Sequence, residues 1–388
     1  YADNAATTKL SQTALDAMMP FLTEIYGNPS SLHTDGQTAK MHLENIREKL
    51  AKLIGASPKE IYFTSGGSEA DNQALRTAAY NGKKKGKKHI ISSKFEHHAV
   101  LHTLYELEKE GFEVTLLDVN SNGIVKAEDI ANTITENTCL VTIMTANNEI
   151  GTIQPVAEIG KLCREKGVIF HTDAVQAVGH IPVNVNEMNI DMLSASAHKF
   201  HGPKGIGFLY VRKGIPIHSL IAGGAQERGK RAGTENLAAI AGMEAALSES
   251  LNSLDNNSAK ITSLRNKLVH GLKTIERSRI NGDLTYHLPG TINMCFEGIE
   301  GESLLLLLDM KGIRASSGSA CTSGSLEPSH VLLAIGVPVE TAHGSLRLSI
   351  NENNTEAEIE YMIKTITEIV AYLRSISPVW EKIISENK

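Results

Sequence analysis

Short runs of β-branched and apolar residues alternate with amphipathic stretches between about residues 60 and 212. This alternation is typical of a mainly parallel sheet covered by helices, an α/β fold. The predicted strands are Ile61 to Thr64, His89 to Ser92, Glu113 to Leu117, Leu140 to Thr145, Val168 to Thr172, Met192 to Ser194 and Gly207 to Val211. Helical periodicity between them predicts helices over Ser68 to Tyr80, His97 to Lys109 and Val156 to Lys166.

The pattern changes in the last third of the chain. Residues 234 to about 275 are rich in Ala, Leu, Glu and Lys, which favours long helices. A new alternation follows, with strands expected at Thr291 to Phe296 and Ser345 to Ile350 and helices at Gly301 to Met310 and Glu356 to Ile376. We therefore predict a large domain over residues 10–255, and a smaller α+β domain made of residues 1–9 and 256–388.

Composition narrows the class of protein. A chain of 388 residues is long enough for about two domains, and 41% hydrophobic with 21% charged residues is ordinary for a globular protein. The net charge of -6 indicates no nucleic-acid partner, and the basic run 83–88 is interpreted as a solvated loop. No apolar run of about 20 residues and no leader is seen, so we expect a cytoplasmic protein with no membrane partner.

Lys199 lies in the segment Ser-Ala-Ser-Ala-His-Lys-Phe-His-Gly-Pro-Lys-Gly. Small neighbours leave its amine accessible, as a lysine that attacks an aldehyde requires, and Ser194, Ser196 and His198 are candidate phosphate donors. Taken alone, Lys199 is one of 38 Lys and Arg residues, most of which are surface groups.

Two further strand ends carry residues that could bind the same ligand as Lys199. Thr64 to Glu69 is a strand followed by a glycine-rich turn into a helix, where backbone N–H groups and the Ser68 hydroxyl can bind a phosphate. Asp173 follows an apolar strand, and a carboxylate there can pair with the protonated nitrogen of a pyridine ring. A helix-capping aspartate is the alternative, but the spacing from Asp173 to Lys199 leaves room for one strand, so both can reach one ring.

A histidine in the turn at 93–98 can stack on an aromatic ring and move protons near neutral pH, or it can be an ordinary surface residue. The loop 223–234 combines glycines with arginines and can close over an anion or lie at a dimer interface.

Cys321 lies among small and polar residues, which predicts an accessible thiol able to react as a thiolate. Cys139, Cys163 and Cys295 have apolar neighbours and are predicted to be structural. The four cysteines have no metal-ligand spacing, so no metal site is expected.

These motifs, in their order, resemble the cysteine desulfurases of the NifS/IscS group, enzymes of the class-V aminotransferase type with the pyridoxal-phosphate (PLP) fold type I. The motifs that carry the resemblance are residues 2–8, 26–33, 146–151 and 231–236, the lysine segment and the cysteine loop. The loop at Cys321 is similar to the long-loop class, and residues 324–330 and 342–345 are closer to the NifS type.

The resemblance implies a large domain with a seven-stranded sheet and roles for individual residues. Lys199 would form the Schiff base with pyridoxal 5'-phosphate, Cys321 would accept the substrate sulfur, and His97 would stack on the ring and move protons. The remaining cofactor contacts would come from Gly67, Ser68, Asn148, Asp173, Gln176, Ser196, His198 and, across a subunit interface, Thr234. Asn28, Asn148 and Arg347 would bind the substrate. Gly67-Ser68 stands where many relatives have Ala-Thr.

The implied reaction converts L-cysteine to L-alanine and leaves a persulfide on Cys321. The resemblance implies that the sulfur of this persulfide serves iron–sulfur cluster assembly. It also implies that the protein is a homodimer and that a NifU/IscU-like scaffold protein is its partner. A PLP aminotransferase or a selenocysteine lyase would need Lys199 and Asp173 but not Cys321. A non-catalytic scaffold protein would not need Lys199, Asp173, His97 and Cys321 together.

Overall fold

The computed structural model describes residues 1–318 and 328–385. The strands of its larger sheet are β1 (Ile61–Thr64), β2 (His89–Ser93), β3 (Glu113–Leu117), β4 (Thr138–Thr142), β5 (Ile169–Asp173), β6 (Met192–Ser196) and β7 (Gly207–Val211). They lie in the order β1-β7-β6-β5-β4-β2-β3. Only β7 runs against its neighbours, β1 and β6. The predicted α/β class with a mainly parallel seven-stranded sheet is confirmed.

Helices cover this sheet on both faces. In chain order they are α1 (Gln12–Thr23), α2 (Thr34–Leu53), α3 (Gly67–Lys83), α4 (His98–Lys109), α5 (Ala127–Thr133), α6 (Val156–Lys166), α7 (Gln226–Gly229) and α8 (Leu237–Asn252). Helix α3 crosses the middle of the sheet with a fully buried stripe of Ala70, Ala74 and Ala78. Because alanine is short, α3 lies close to the strands, and its first turn reaches their carboxyl ends.

The rest of the chain builds a second layered unit. Its antiparallel sheet has the order β10-β9-β8, with β8 (Ser278–Ile280), β9 (Thr291–Phe296) and β10 (Ser345–Ser349). Its helices are α9 (Leu254–Leu272), α10 (Gly301–Met310), α11 (His330–Ala334), α12 (Val339–Ala342), α13 (Glu356–Ser375) and α14 (Pro378–Ser385). Strand β8 was not predicted, because it is a three-residue edge strand whose side chains are only half-buried.

The small sheet has a hydrophobic core of its own, formed with α9, α10 and α13. Ala2 lies in that core, and Asp3 forms a bridge with Ser349 of β10. The first residues of the chain therefore pack with the last third of it. The domain boundaries at residues 9/10 and 255/256 stay a prediction.

None of the helices in the described ranges 1–318 and 328–385 combines the length and apolar character needed to cross a bilayer.

Candidate active site

A cavity of about 210 Å³ lies at the carboxyl ends of the central strands. Ten of the predicted site residues line it: Gly67, Ser68, His97, Asn148, Asp173, Gln176, Ser196, His198, Lys199 and Arg347. Ala5, Ala6, Asp71, Met144 and Val175 complete its wall. Residues far apart in the sequence thus meet at the edge of the sheet where open α/β folds bind ligands.

Lys199 enters this cavity directly after β6. It ends a short 3-10 helix, Ala197–Lys199, that follows Ser196 at the last position of the strand. The lysine Nζ donates hydrogen bonds to the carbonyl oxygens of Ala5 at 2.6 Å and Ala6 at 2.8 Å. Two backbone carbonyl oxygens therefore hold the amine at the cavity wall.

Asp173 ends β5, the strand next to β6, and its side chain is buried. One carboxylate oxygen accepts the Val175 N–H at 2.9 Å. Burial raises the pKa of Asp173, while the positive charges that His97 and Lys199 can carry lower it. A cationic ring nitrogen placed here would offset the cost of burying this carboxylate. Nearby, Gln176 donates its amide to the Ala5 carbonyl at 3.0 Å.

His97 is the N-cap residue of α4. Its Nδ1 accepts the backbone N–H of Ala99 at 3.1 Å, so the proton of the neutral ring is on Nε2. The cap fixes the orientation of the imidazole, which lines the cavity together with Asp173.

A phosphate-binding corner is formed where α3 begins. The first N–H groups of a helix lack partners within the helix and carry the positive end of its dipole. Ser68, Ser196 and His198 add side-chain donors to the same wall of the cavity. Burial, and then the charges of Lys199 and Lys204, lower the pKa of His198 to about 4, so it is a neutral donor at pH 7.

Gly67 allows this corner to form. A Cβ at Gly67 would lie 2.5 Å from Cγ2 of Val175 and 3.7 Å from Cβ of Ser196. The first turn of α3 is therefore packed directly against the segment that follows β5 and against the last residue of β6.

Asp71 is a site residue that the sequence reasoning missed. It lies on α3, one turn after Gly67, and is 1% exposed. Ligand atoms of Asp71, His97 and Asp173 all lie within 4.8 Å of one another. The sequence did contain a signal for Asp71, namely an acidic residue beside the small residues Ala70 and Ala74 on the buried side of a predicted helix.

Two described residues of the predicted site, Asn28 and Thr234, do not line the cavity. Asn28 is exposed and accepts the Ser30 N–H at 2.9 Å, and Thr234 is exposed on its loop. Cys321 lies outside the described residues. Ser194, a candidate phosphate donor, is not part of the cavity lining either, and its hydroxyl lies 3.0 Å from Nε2 of His171. Ser194 is on the same face of β6 as Ser196 but one step deeper under α3.

Arg347 is held at the cavity wall by two groups. Its guanidinium forms an ion pair with Asp3 at 2.9 Å and donates to the Asn148 carbonyl at 3.2 Å. Its Nε is buried and has no hydrogen-bond partner among the described residues. The positive charge faces the part of the cavity where a substrate carboxylate is expected, and this role stays a prediction.

The residues of the cavity fit pyridoxal 5'-phosphate. The helix start at Gly67 and Ser68 suits the phosphate, the buried Asp173 suits a protonated ring nitrogen, and Lys199 suits the aldehyde. The same three-residue cluster of Asp71, His97 and Asp173 is also geometrically able to hold a metal ion. We assign this cluster to the cofactor ring, since a metal ion would explain neither Lys199 nor the phosphate-binding corner at the start of α3.

Comparison with known proteins agrees with this geometry. The family model "Aminotransferase class-V" matches residues 1–362. A cysteine desulfurase IscS from Clostridium botulinum strain Hall is 53% identical over 384 residues, covering 98% of this chain and 96% of the relative.

Among solved structures, a NifS-like protein is 42% identical with a TM-score of 0.91, covering 96% of this chain and 99% of that one. SspA, solved in complex with cysteine, is 35% identical with a TM-score of 0.81, and the coverage is 92% and 99%. Enzymes of this class depend on pyridoxal phosphate, which confirms the predicted cofactor. The chain belongs to the cysteine desulfurases of the class-V aminotransferase family.

Proposed function

We propose that this protein converts L-cysteine to L-alanine and transfers the sulfur to Cys321 as a persulfide, which donates it for iron–sulfur cluster assembly. The observation that carries the proposal is the single cavity in which Lys199, Asp173 and His97 meet a phosphate-binding helix start. The identity to curated cysteine desulfurases and the cysteine bound to SspA support the substrate.

Bound pyridoxal phosphate supplies an electron sink that weakens the bonds to the α-carbon and, later, the carbon–sulfur bond. Lys199 anchors the cofactor and then moves the α-proton. When it is not bonded to the cofactor, its Nζ would donate to the Ala5 and Ala6 carbonyls, as it does here. Asp173 holds the ring nitrogen in its cationic form.

His97 has a role in proton transfer. Because Nδ1 accepts from the backbone, the neutral ring presents Nε2–H to the cavity as a proton donor. Uptake of a second proton would occur at Nδ1 and would break its bond to the Ala99 N–H. Arg347 and Asn148 hold the substrate carboxylate in this proposal, with Asn28 contributing from its exposed loop. Gly67, Ser68, Ser196 and His198 hold the phosphate, and Gln176 contacts the ring oxygen.

Sulfur transfer balances without an added oxidant. The Cys321 thiolate forms a bond to the substrate sulfur as the carbon–sulfur bond breaks, and the electron pair of that bond stays with Cβ. Cβ then takes one proton and becomes the methyl group of alanine. One cysteine and one thiol thus give one alanine and one persulfide.

We further propose that the protein works as a homodimer, in which Thr234 of one subunit contacts the phosphate bound by the other, and that it is cytoplasmic. The sulfur acceptor is proposed to be a NifU/IscU-like scaffold protein. The exposed position of Thr234, away from the cavity of its own chain, supports the first of these points.

The test is a single-turnover reaction of the cofactor-loaded protein with L-cysteine. We expect one alanine per active site, and one added sulfur on the peptide that contains Cys321 by mass spectrometry. Cys321→Ala should bind the cofactor normally and lose the persulfide, whereas Lys199→Ala should lose turnover at the first step. Cys139→Ala, which changes a buried thiol, is the matched control and should keep both products.

Full desulfurase activity in Cys321→Ala would refute the persulfide route and favour an aminotransferase or lyase. Absence of alanine from the unmodified protein would refute the reaction itself. A monomer with full activity on size-exclusion chromatography would refute the shared phosphate site.

A further inference from the structure

A second buried carboxyl group, Asp71, lies behind Asp173. Asp71 is 1% exposed, and its Oδ1 has no hydrogen-bond partner within the described part of the chain. Its ligand atom is within 4.8 Å of those of Asp173 and His97. Nothing in the proposed reaction uses this group, although it lines the same cavity.

Asp71 is the end of a buried chain of hydrogen-bonding side chains. Thr142 Oγ1 is 2.8 Å from His171 Nδ1, and His171 Nε2 is 3.0 Å from Ser194 Oγ. His171 Nε2 is also 3.7 Å from Asp71 Oδ1, and the Ser194 side chain is near enough to Asp71 to lower the pKa of that carboxyl group. All four residues are fully or almost fully buried.

The hydrogens along this chain can run in either of two orders. Burial lowers the pKa of His171 to about 3, so the imidazole is neutral and has one N–H. In one order Thr142 donates to Nδ1, Nε2–H donates to Ser194, and the Ser194 hydroxyl donates to an ionised Asp71. In the other order a protonated Asp71 donates to Ser194, the Ser194 hydroxyl donates to Nε2, and Nδ1–H donates to Thr142. The chain therefore orients Asp71 but supplies no positive charge to it.

Too little positive charge surrounds the two carboxyl groups for both to ionise. Asp71 faces Asp173 and His171 from β5 and Glu96 from the turn before α4, and Asp173 faces His97 and Lys199. Burial, and then the charge of Asp173, raise the pKa of Asp71 well above its usual value. Two like charges at this separation in a buried site favour a state with one proton for the pair.

We propose that Asp71 is a positioning residue that keeps this proton, so that the single negative charge of the pair stays on Asp173, opposite the ring nitrogen of the cofactor. The inference rests on the proposed function, because it assigns pyridoxal phosphate to this cavity. It adds a role for the chain from Thr142 to Asp71, which in its second order accepts the proton of a neutral Asp71 at Ser194 Oγ.

The first test uses the protein without cofactor and does not depend on turnover. Carboxyl carbon NMR of aspartate-labelled protein, with the Asp71 resonance identified by its loss in Asp71→Asn, should show a protonated Asp71 from pH 5 to pH 7. A resonance that is ionised at pH 7 would overturn the inference, whatever the enzyme does with cysteine.

The second test is a double-mutant cycle on the dissociation constant of pyridoxal phosphate, read from cofactor absorbance. Asp71→Asn replaces one neutral group by another, so we expect a change of less than about 3-fold at pH 7. In an Asp173→Asn background Asp71 is the remaining carboxyl group near the ring, so the same change should weaken binding by about 10-fold or more.

A matched control is Glu69→Gln, also on α3 but paired with Arg231 at 2.9 Å. It should have the same effect in both backgrounds. Equal effects of Asp71→Asn in both backgrounds would show a packing role and overturn the inference. The double-mutant cycle can give the expected result while the protein produces no alanine from L-cysteine. In that case the proposed function is refuted, whereas the inference about Asp71 and Asp173 is supported.

Discussion

Replacing Gly67 by alanine tests why this chain has glycine at the start of α3. The added Cβ would lie 2.5 Å from Cγ2 of Val175. Carbon atoms in ordinary contact are about 3.5–4.0 Å apart, so roughly 1 Å must be gained by moving the helix start or the Val175 segment. Overpacking of this kind costs about 1–3 kcal/mol. We expect Gly67→Ala to lower the free energy of unfolding of the cofactor-free protein by that amount.

The same displacement moves the first N–H groups of α3 away from the phosphate. Since about 1.4 kcal/mol corresponds to a tenfold change in an equilibrium constant, we expect the dissociation constant for pyridoxal phosphate to rise about 10-fold or more. Ser68→Ala provides the contrast, because it removes a phosphate donor without adding volume. It should weaken cofactor binding and leave the stability of the cofactor-free protein unchanged.

The assays are urea unfolding of the cofactor-free protein and absorbance titration with pyridoxal phosphate. Val175→Ala removes the clashing methyl group, so the double variant Gly67→Ala/Val175→Ala should regain about 1–2 kcal/mol relative to the sum of the single changes. Unchanged stability in Gly67→Ala, or strict additivity in the double variant, would refute this account of the helix start.

Two other predictions concern buried charge. Arg47 and Glu227 form a two-bond ion pair at 2.8 and 2.7 Å, so Arg47→Met should cost about 3–5 kcal/mol in urea unfolding by leaving Glu227 unpaired. Glu227→Gln should lower the free energy of unfolding less in the Arg47→Met background than in the unmodified protein, and additive effects of the two changes would contradict this. Burial raises the pKa of Glu96 to about 8, so the native state holds the extra proton and stability should fall as pH rises from 6.5 to 8. Glu96→Gln should reduce this decrease in the free energy of unfolding by up to about 2 kcal/mol. An unchanged dependence of stability on pH would contradict the role of Glu96.

The positions of the candidate residues at strand ends follow from local sequence pattern. Asp173 and Lys199 come after neighbouring strands, and Asp173 is paired with Ser194 in the register of β5 and β6. Parallel strands deliver their carboxyl ends to one edge, so sequence spacing alone indicated that both residues reach one ligand. The glycine-rich turn before α3 was predictable for the same reason.

The parts that depend on long-range packing were not predicted. The carbonyls of Ala5 and Ala6, near the start of the chain, accept hydrogen bonds from Lys199. Backbone acceptors of this kind have no signal in the sequence. The depth of Ser194 under α3 depends on how closely the helix approaches the sheet. Predicted strand 140–145 is observed at 138–142, although the backbone N–H groups of Ile143 and Thr145 still donate to the His171 and Asp173 carbonyls of β5.

The short N-terminal segment also determines when the site can assemble during synthesis. The Ala5 N–H bonds Ser349 Oγ at 2.8 Å, and Asp3 pairs with Arg347, a partner 344 positions later in the chain. A chain leaving the ribosome can form the seven-stranded sheet before it has made either partner. Ala5 and Ala6 can then meet Lys199 only loosely until β10 emerges, so stable capture of the cofactor is expected to be a late, largely post-translational event.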